Sequence, residues 1–155
     1  MGRALDALDA TSDSKSGPTA AQMHFGTGSA PDLSFTSVKH ASVDGHVLQP
    51  VETYWNSILL ATVRAVVKHG GLQKQIASKL LVNYVVGQKG NGGYKYIAEA
   101  DLSVQGQDAN GAWKAISFLA KEFGINVEIE FTWQNNPKAA NPGLSGNLSV
   151  GGVFE

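Results

Sequence analysis

Three segments of this 155-residue chain carry a clear hydrophobic period. Trp55, Ile58, Leu59, Thr62, Val63, Val66 and Val67 recur at spacings of three and four, which lines one face of a helix. Pro50 stands near the start of that helix and Glu52 in its first turn, and Lys68-His69-Gly70-Gly71 closes it with cations and then a capping glycine. A second helix is predicted after Asp108, an N-cap residue. Ala109, Ala112, Trp113, Ile116, Leu119, Ala120 and Phe123 keep the helical period as far as Gly124. Between residues 127 and 133 the period changes to two: Val127, Ile129, Phe131 and Trp133 alternate with Glu128, Glu130 and Thr132, the mark of a strand with one buried face.

The remaining segments are read from these three. Residues 34–48 look extended, with Phe35, Val38, Val43, Val47 and Leu48 apolar and Asp44-Gly45 as a turn, but they alternate poorly. Leu72 to Ser78 suits a short turn of helix. Leu80-Leu81-Val82-Asn83-Tyr84-Val85-Val86 is apolar on both alternations, which predicts a strand covered on both sides or flanked by neighbours. A glycine-rich loop over 87–93 follows, with an Asn-Gly turn. From 94 to 105, Tyr94, Tyr96, Ala98, Ala100, Leu102 and Val104 alternate with Lys95, Ile97, Glu99, Asp101, Ser103 and Gln105. One strand is therefore expected there, forming a hairpin with 80–86 and turning both tyrosines into the core.

The resulting order, β-α-β-β-α-β, resembles a ferredoxin-like α+β sandwich, with both helices on one face of a mainly antiparallel sheet. Without the strand at 34–48 the order becomes α-β-β-α-β. Residues 1–32 read as a flexible arm, 33–134 as the α+β domain and 135–155 as a Gly/Pro-rich tail, mobile or held by a partner.

Composition removes several chemistries. Apolar residues make up 43 %, enough for a core, and cysteine is absent, which excludes disulfides, thiolate metal sites and cysteine nucleophiles. No run approaches the ~20 apolar residues of a membrane span. The first residues lack the apolar stretch of a signal peptide, and Asp6 stands where a myristoylation motif has Ser or Thr, so a cytoplasmic protein without membrane attachment is expected. The glycines at 87–93 lie between strands and not before a helix, so they make a poor phosphate cradle. His24, His40, His46 and His69 are scattered, Glu128 and Glu130 have the pattern of a solvated strand face, and no serine elbow is present. No catalytic residue, metal site or cofactor is expected.

Two features point to binding. Gln105-Gly106-Gln107-Asp108-Ala109-Asn110-Gly111 gathers amides and a carboxylate at a strand-to-helix junction, so Gln105, Gln107, Asp108 and Asn110 are either contact residues or capping groups. The net charge of −1 also hides segregation. Residues 53–98 hold Arg64, Lys68, Lys74, Lys79, Lys89 and Lys95 and no acid, whereas 99–133 hold six acids against Lys114 and Lys121. Either the two stretches neutralise each other in the fold, or they form a bipolar surface suited to protein association. The expectation is a small non-enzymatic protein that contacts a protein partner and self-associates, with Arg64, Lys68 and Lys95 as further contact residues. The alternatives are a nucleic-acid module on the basic 64–95 region, and a small-ligand binder or minor enzyme with its pocket at 105–110, beside Gln134 to Asn136.

Overall fold

The computed structural model describes residues 23–25 and 30–151. In chain order the elements are β1 (Met23–Phe25), β2 (Thr36–Val43), β3 (His46–Val47), α1 (Trp55–Lys68), α2 (Gln73–Lys79), β4 (Tyr84–Val86), β5 (Tyr94–Ile97), β6 (Leu102–Gln105), α3 (Ala109–Phe123), β7 (Val127–Trp133) and β8 (Ser145–Val150). A 3-10 turn over Pro50–Glu52 precedes α1. The class is α+β. None of the helices is long and apolar enough to cross a membrane, among the described residues.

The strands divide between two sheets, ordered β1-β8-β7-β2-β3 and β4-β6-β5. The ferredoxin-like arrangement expected from the element order would place them in one. The segment 34–48 does join a sheet: β2 pairs antiparallel with β7, and the turn at Asp44 and Gly45, both at positive φ, folds β3 back onto it. Its irregular alternation reflects a register shift between Val38 and His40. Such a bulge breaks the period of two.

Helices α1 and α3 pack on each other and cover one face of the larger sheet. Val127, Ile129, Phe131 and Trp133 are buried beneath them, while Glu128 and Glu130 point outward. Phe131 is the aromatic hub, with its ring centroid 6.0 Å from Trp55 and 4.9 Å from Trp133. Helix α3 starts and stops as its sequence requires. Asp108 Oδ1 accepts the Gly111 N–H at 2.8 Å, and Gly124 takes a left-handed conformation at φ 69°.

Three expectations are corrected here. The segment read as a tail supplies β8, which lies between β1 and β7. Its inward positions are Gly146, Leu148 and Val150, so only two of them carry an apolar side chain. Gly146 is required by packing: a Cβ there would lie 2.6 Å from Cζ of Phe131, its partner across the ladder. Part of the segment read as a flexible arm supplies β1, which pairs parallel with β8; residues 1–22 and 26–29 lie outside the described residues.

The second correction concerns 94–105, where two strands replace one. Residues 98–101 form a turn with Asp101 at φ 51°, and β5 and β6 are the hairpin. Ala98 and Ala100 alternate with Glu99 and Asp101 through the turn itself, so the period of two ran on unbroken where the chain reverses. Aspartate tolerates the left-handed region better than most residues. Reversal also changes the faces: Tyr96 is opposite Ser103 and Tyr94 opposite Gln105, both on the outer side. The tyrosines therefore point away from the core that takes Ile97, Leu102 and Val104.

The third is the run 80–86. Only Tyr84–Val86 is strand, it pairs with β6 and not with β5, and all three residues are exposed. It is an edge that the helices do not cover.

Candidate functional site

Residues Arg64 and Lys68, one helical turn apart on α1, face a cleft closed on the other side by the β2–β3 hairpin. The hairpin is short, and Pro50–Glu52 returns the chain to the start of α1, which leaves the space open. The cleft encloses about 350 Å³. Val43, Leu48, Ala61, Ala65 and Val67 form an apolar floor, and Arg64, Lys68, Glu52, Glu99, Asp44 and His46 form the rim.

The rim charges are unevenly paired. Arg64 Nε lies 3.5 Å from Glu99 Oε1, with both side chains about half exposed, so the pair contributes no more than about 1 kcal/mol and can open for a competing group. Asp44 Oδ2 lies 2.9 Å from His69 Nε2. Lys68 has no carboxylate within ion-pair distance among the described residues. The apolar floor suits an apolar body, and the unpaired ammonium and loosely held guanidinium suit a negative group on it, while Glu52, whose carboxylate has no cation within ion-pair distance among the described residues, stands on the same rim. On the far side of the fold Lys79 Nζ meets Glu122 Oε1 at 3.2 Å. Arg64 and Lys79 are thus the two places where the basic stretch and the acidic stretch neutralise each other.

At the 105–110 junction the polar groups face one another. Asn56 of α1 brackets Gln107, accepting its N–H and donating to its carbonyl, both at 2.9 Å. Gln105 accepts from Asn83 at 2.8 Å and donates to the Gly92 carbonyl, while Gln107 Nε2 donates to the Gln105 carbonyl. Asn110 Oδ1 accepts the Leu33 N–H at 2.7 Å, and its Nδ2 donates to Asp32 and Ser34. The Asn110 bond, followed by those from Ser34, holds the Asp32 carboxyl below its ordinary value, because each favours the ionised form. Gln105, Gln107 and Asn110 therefore act as clasps among β6, α1, α3 and the loop leading into β2, while Asp108 caps α3. None of them lines the α1 cleft. The Gln134 N–H donates to the Phe35 carbonyl at 2.7 Å.

Lys95 lies exposed on β5 opposite Val104 and does not line the α1 cleft. On the outer face of the same sheet the Lys89 ammonium sits 5.1 Å from the Tyr94 ring centroid, and Tyr96 Oη donates to Asp101 Oδ1 at 2.8 Å. That bond raises the Tyr96 phenol above its usual range, since an ionised phenolate would face a carboxylate. Loop 87–93 folds over the face. Ser103 Oγ, fully buried, donates to the Gly87 carbonyl at 2.6 Å and accepts the Lys89 N–H at 2.8 Å.

One grouping was not visible in the sequence. Strand pairing aligns His24, Asn147, Glu130 and His40 across the open face of the larger sheet, beside a shallow cleft of about 300 Å³ that Glu128 and Ser149 also line. The two histidines belong to β1 and β2, which are separated by β8 and β7. Strands stand ~4.8 Å apart, so these imidazoles are too distant for one ion to take both. Among the described residues no cluster of three His, Asp or Glu can hold a metal. No signal local to His24 or His40 could reveal this row, because it exists only through long-range pairing.

No family model, curated protein or solved structure matches this chain.

Proposed function

We propose that the protein is a small non-enzymatic interaction protein that seats a segment of a partner protein in the cleft between α1 and the β2–β3 hairpin, and that it associates with itself. The observation that carries the first part is the apolar floor beside the unpaired Lys68. The segment it fits presents one large apolar side chain next to an aspartate or glutamate, which takes Lys68 and competes with Glu99 for Arg64. Charge-assisted contact of this kind supplies specificity, while the apolar side chain supplies most of the affinity.

A random-peptide library selected on the purified protein tests this. Enriched peptides should share an apolar residue flanked by a carboxylate, and their binding should shift the methyl resonances of Val43, Leu48 and Val67. Lys68→Glu should weaken them about tenfold, the equivalent of ~1.4 kcal/mol. Absence of such a motif, or resonance shifts confined to other surfaces, overturns the proposal.

A second reading is a nucleic-acid contact on the basic 64–95 region, favoured by the outward Tyr94 and Tyr96 with Lys89 over the Tyr94 ring. Weighing against it are the bond from Tyr96 to Asp101, the loop folded over Ser103, and the carboxylates facing Arg64 and Lys79. Retardation of RNA or single-stranded DNA that falls steeply with salt would support it; no retardation at low salt would exclude it.

A further inference from the structure

The edges of the two sheets are not equally protected. β3 is two residues long and runs on towards Pro50, and β5 carries the exposed Lys95. Short strands, prolines and lysines are the usual devices that keep an edge from pairing with another chain. β4 is also short, three residues, but it carries neither a proline nor a lysine. Tyr84, Val85 and Val86 are all exposed, Leu81 is 47 % exposed just before them, and no charged residue stands between Leu80 and Gln88.

The ladder also fixes which backbone groups are free. Asn83 O accepts from Gln105 N at 3.0 Å and Gly87 N donates to Asp101 O at 2.9 Å. Odd-numbered positions therefore turn their polar groups towards β6, and the N–H and C=O of Tyr84 and Val86 point away from the sheet. Neither residue makes another hydrogen bond among the described residues.

We propose that β4 pairs antiparallel with β4 of a second copy of this chain, about a two-fold axis through Val85, so that the two three-stranded sheets become one. This register overlaps the full length of both strands. It sets Tyr84 of one copy opposite Val86 of the other, so each such pair closes both of its backbone hydrogen bonds with groups that are otherwise free. Val85 meets its own counterpart as a non-hydrogen-bonded pair. Aromatic against β-branched is a favourable cross-strand combination, and an uncharged edge brings no like charges together at the axis. A second copy is the occupant that the strand fits, because the free groups lie symmetrically about Val85 and the larger side chain falls opposite the smaller one. The inference rests on the self-association part of the reading above and is independent of the α1 cleft.

Light scattering on the full chain should give the mass of a dimer. The chain has no cysteine, so Val85→Cys introduces a single thiol whose Cβ lies ~4.5–5.5 Å from its symmetry mate. Mild oxidation should convert that variant to a covalent dimer, whereas Val47→Cys on the β3 edge should remain uncrosslinked. Val86→Lys, an exposed substitution, should give a monomer with unchanged circular dichroism. A wild-type monomer at every concentration overturns both the edge pairing and self-association. A dimer that survives Val86→Lys and does not crosslink through Val85→Cys overturns this interface and leaves self-association standing.

Discussion

The two sheets of this protein use similar residues to opposite ends. In the larger sheet β7 is central, with β8 on one side and β2 on the other, and its alternate side chains are sealed under α1 and α3. In the smaller sheet only β6 is central and buried, and both its neighbours are edges. Val127 in β7 is fully buried, whereas Val86 in β4 is 58 % exposed. Apolar character is thus a reliable guide to burial where a strand has neighbours on both sides and a helix above, and a poor one at an edge. There it marks surface that is available for contact.

Substitutions at the centre of each sheet sharpen the comparison. The largest loss is expected for Phe131→Ala, which empties the space between Trp55, Trp133 and Gly146 and should reduce stability by about 3–5 kcal/mol in urea unfolding. A loss below 1 kcal/mol would mean that the larger sheet is not the main core. In the smaller sheet the central determinant is polar. Ser103→Ala strips the Lys89 N–H and the Gly87 carbonyl of their partner, so a loss of about 1–3 kcal/mol is expected, with faster amide exchange confined to 87–93. Uniform exchange across the sheet would contradict the pinning role given to that hydroxyl.

The smallest effect is expected where α3 meets the loop before β2. Asn110→Ala removes the acceptor of the Leu33 N–H and should cost about 1 kcal/mol. It also removes the first of the bonds that depress Asp32, so the Asp32 titration followed by NMR should move up towards the ordinary carboxylate value. The sign follows from linkage. A carboxyl depressed in the folded state adds stability above its unfolded pKa of about 3.9, and that stability is lost as pH falls through the folded value. The variant should therefore show a weaker loss of stability on acidification than the wild type. An unchanged Asp32 titration would show that Ser34 alone holds the carboxylate.

The elements most legible in the sequence were α1, α3 and β7, where each hydrophobic position reports on the same buried face. The elements misread were those where local pattern and tertiary environment part company. Turn residues 98–101 keep the alternation of a strand, β8 fills one inward position with a glycine beneath a ring, and 80–86 is apolar although little covers it. The candidate site divides in the same way. Arg64 and Lys68 could be placed together from their four-residue spacing, but the cleft they border needs the β2–β3 hairpin. Gln105, Gln107 and Asn110 showed themselves as a polar cluster, yet their partners Asn56, Asn83, Asp32 and Leu33 lie between 22 and 78 residues away in the chain.

By itself the sequence determined the α+β class, the capped helices, the buried stripe of β7 and the absence of thiol chemistry, because each depends on residue type and on spacing within one element. Tertiary structure alone decided how the strands divided between two sheets, which charges met, and which apolar residues remained outside. Those outcomes depend on pairing between distant segments. The free energy of that pairing comes from shared burial, which no single segment contains.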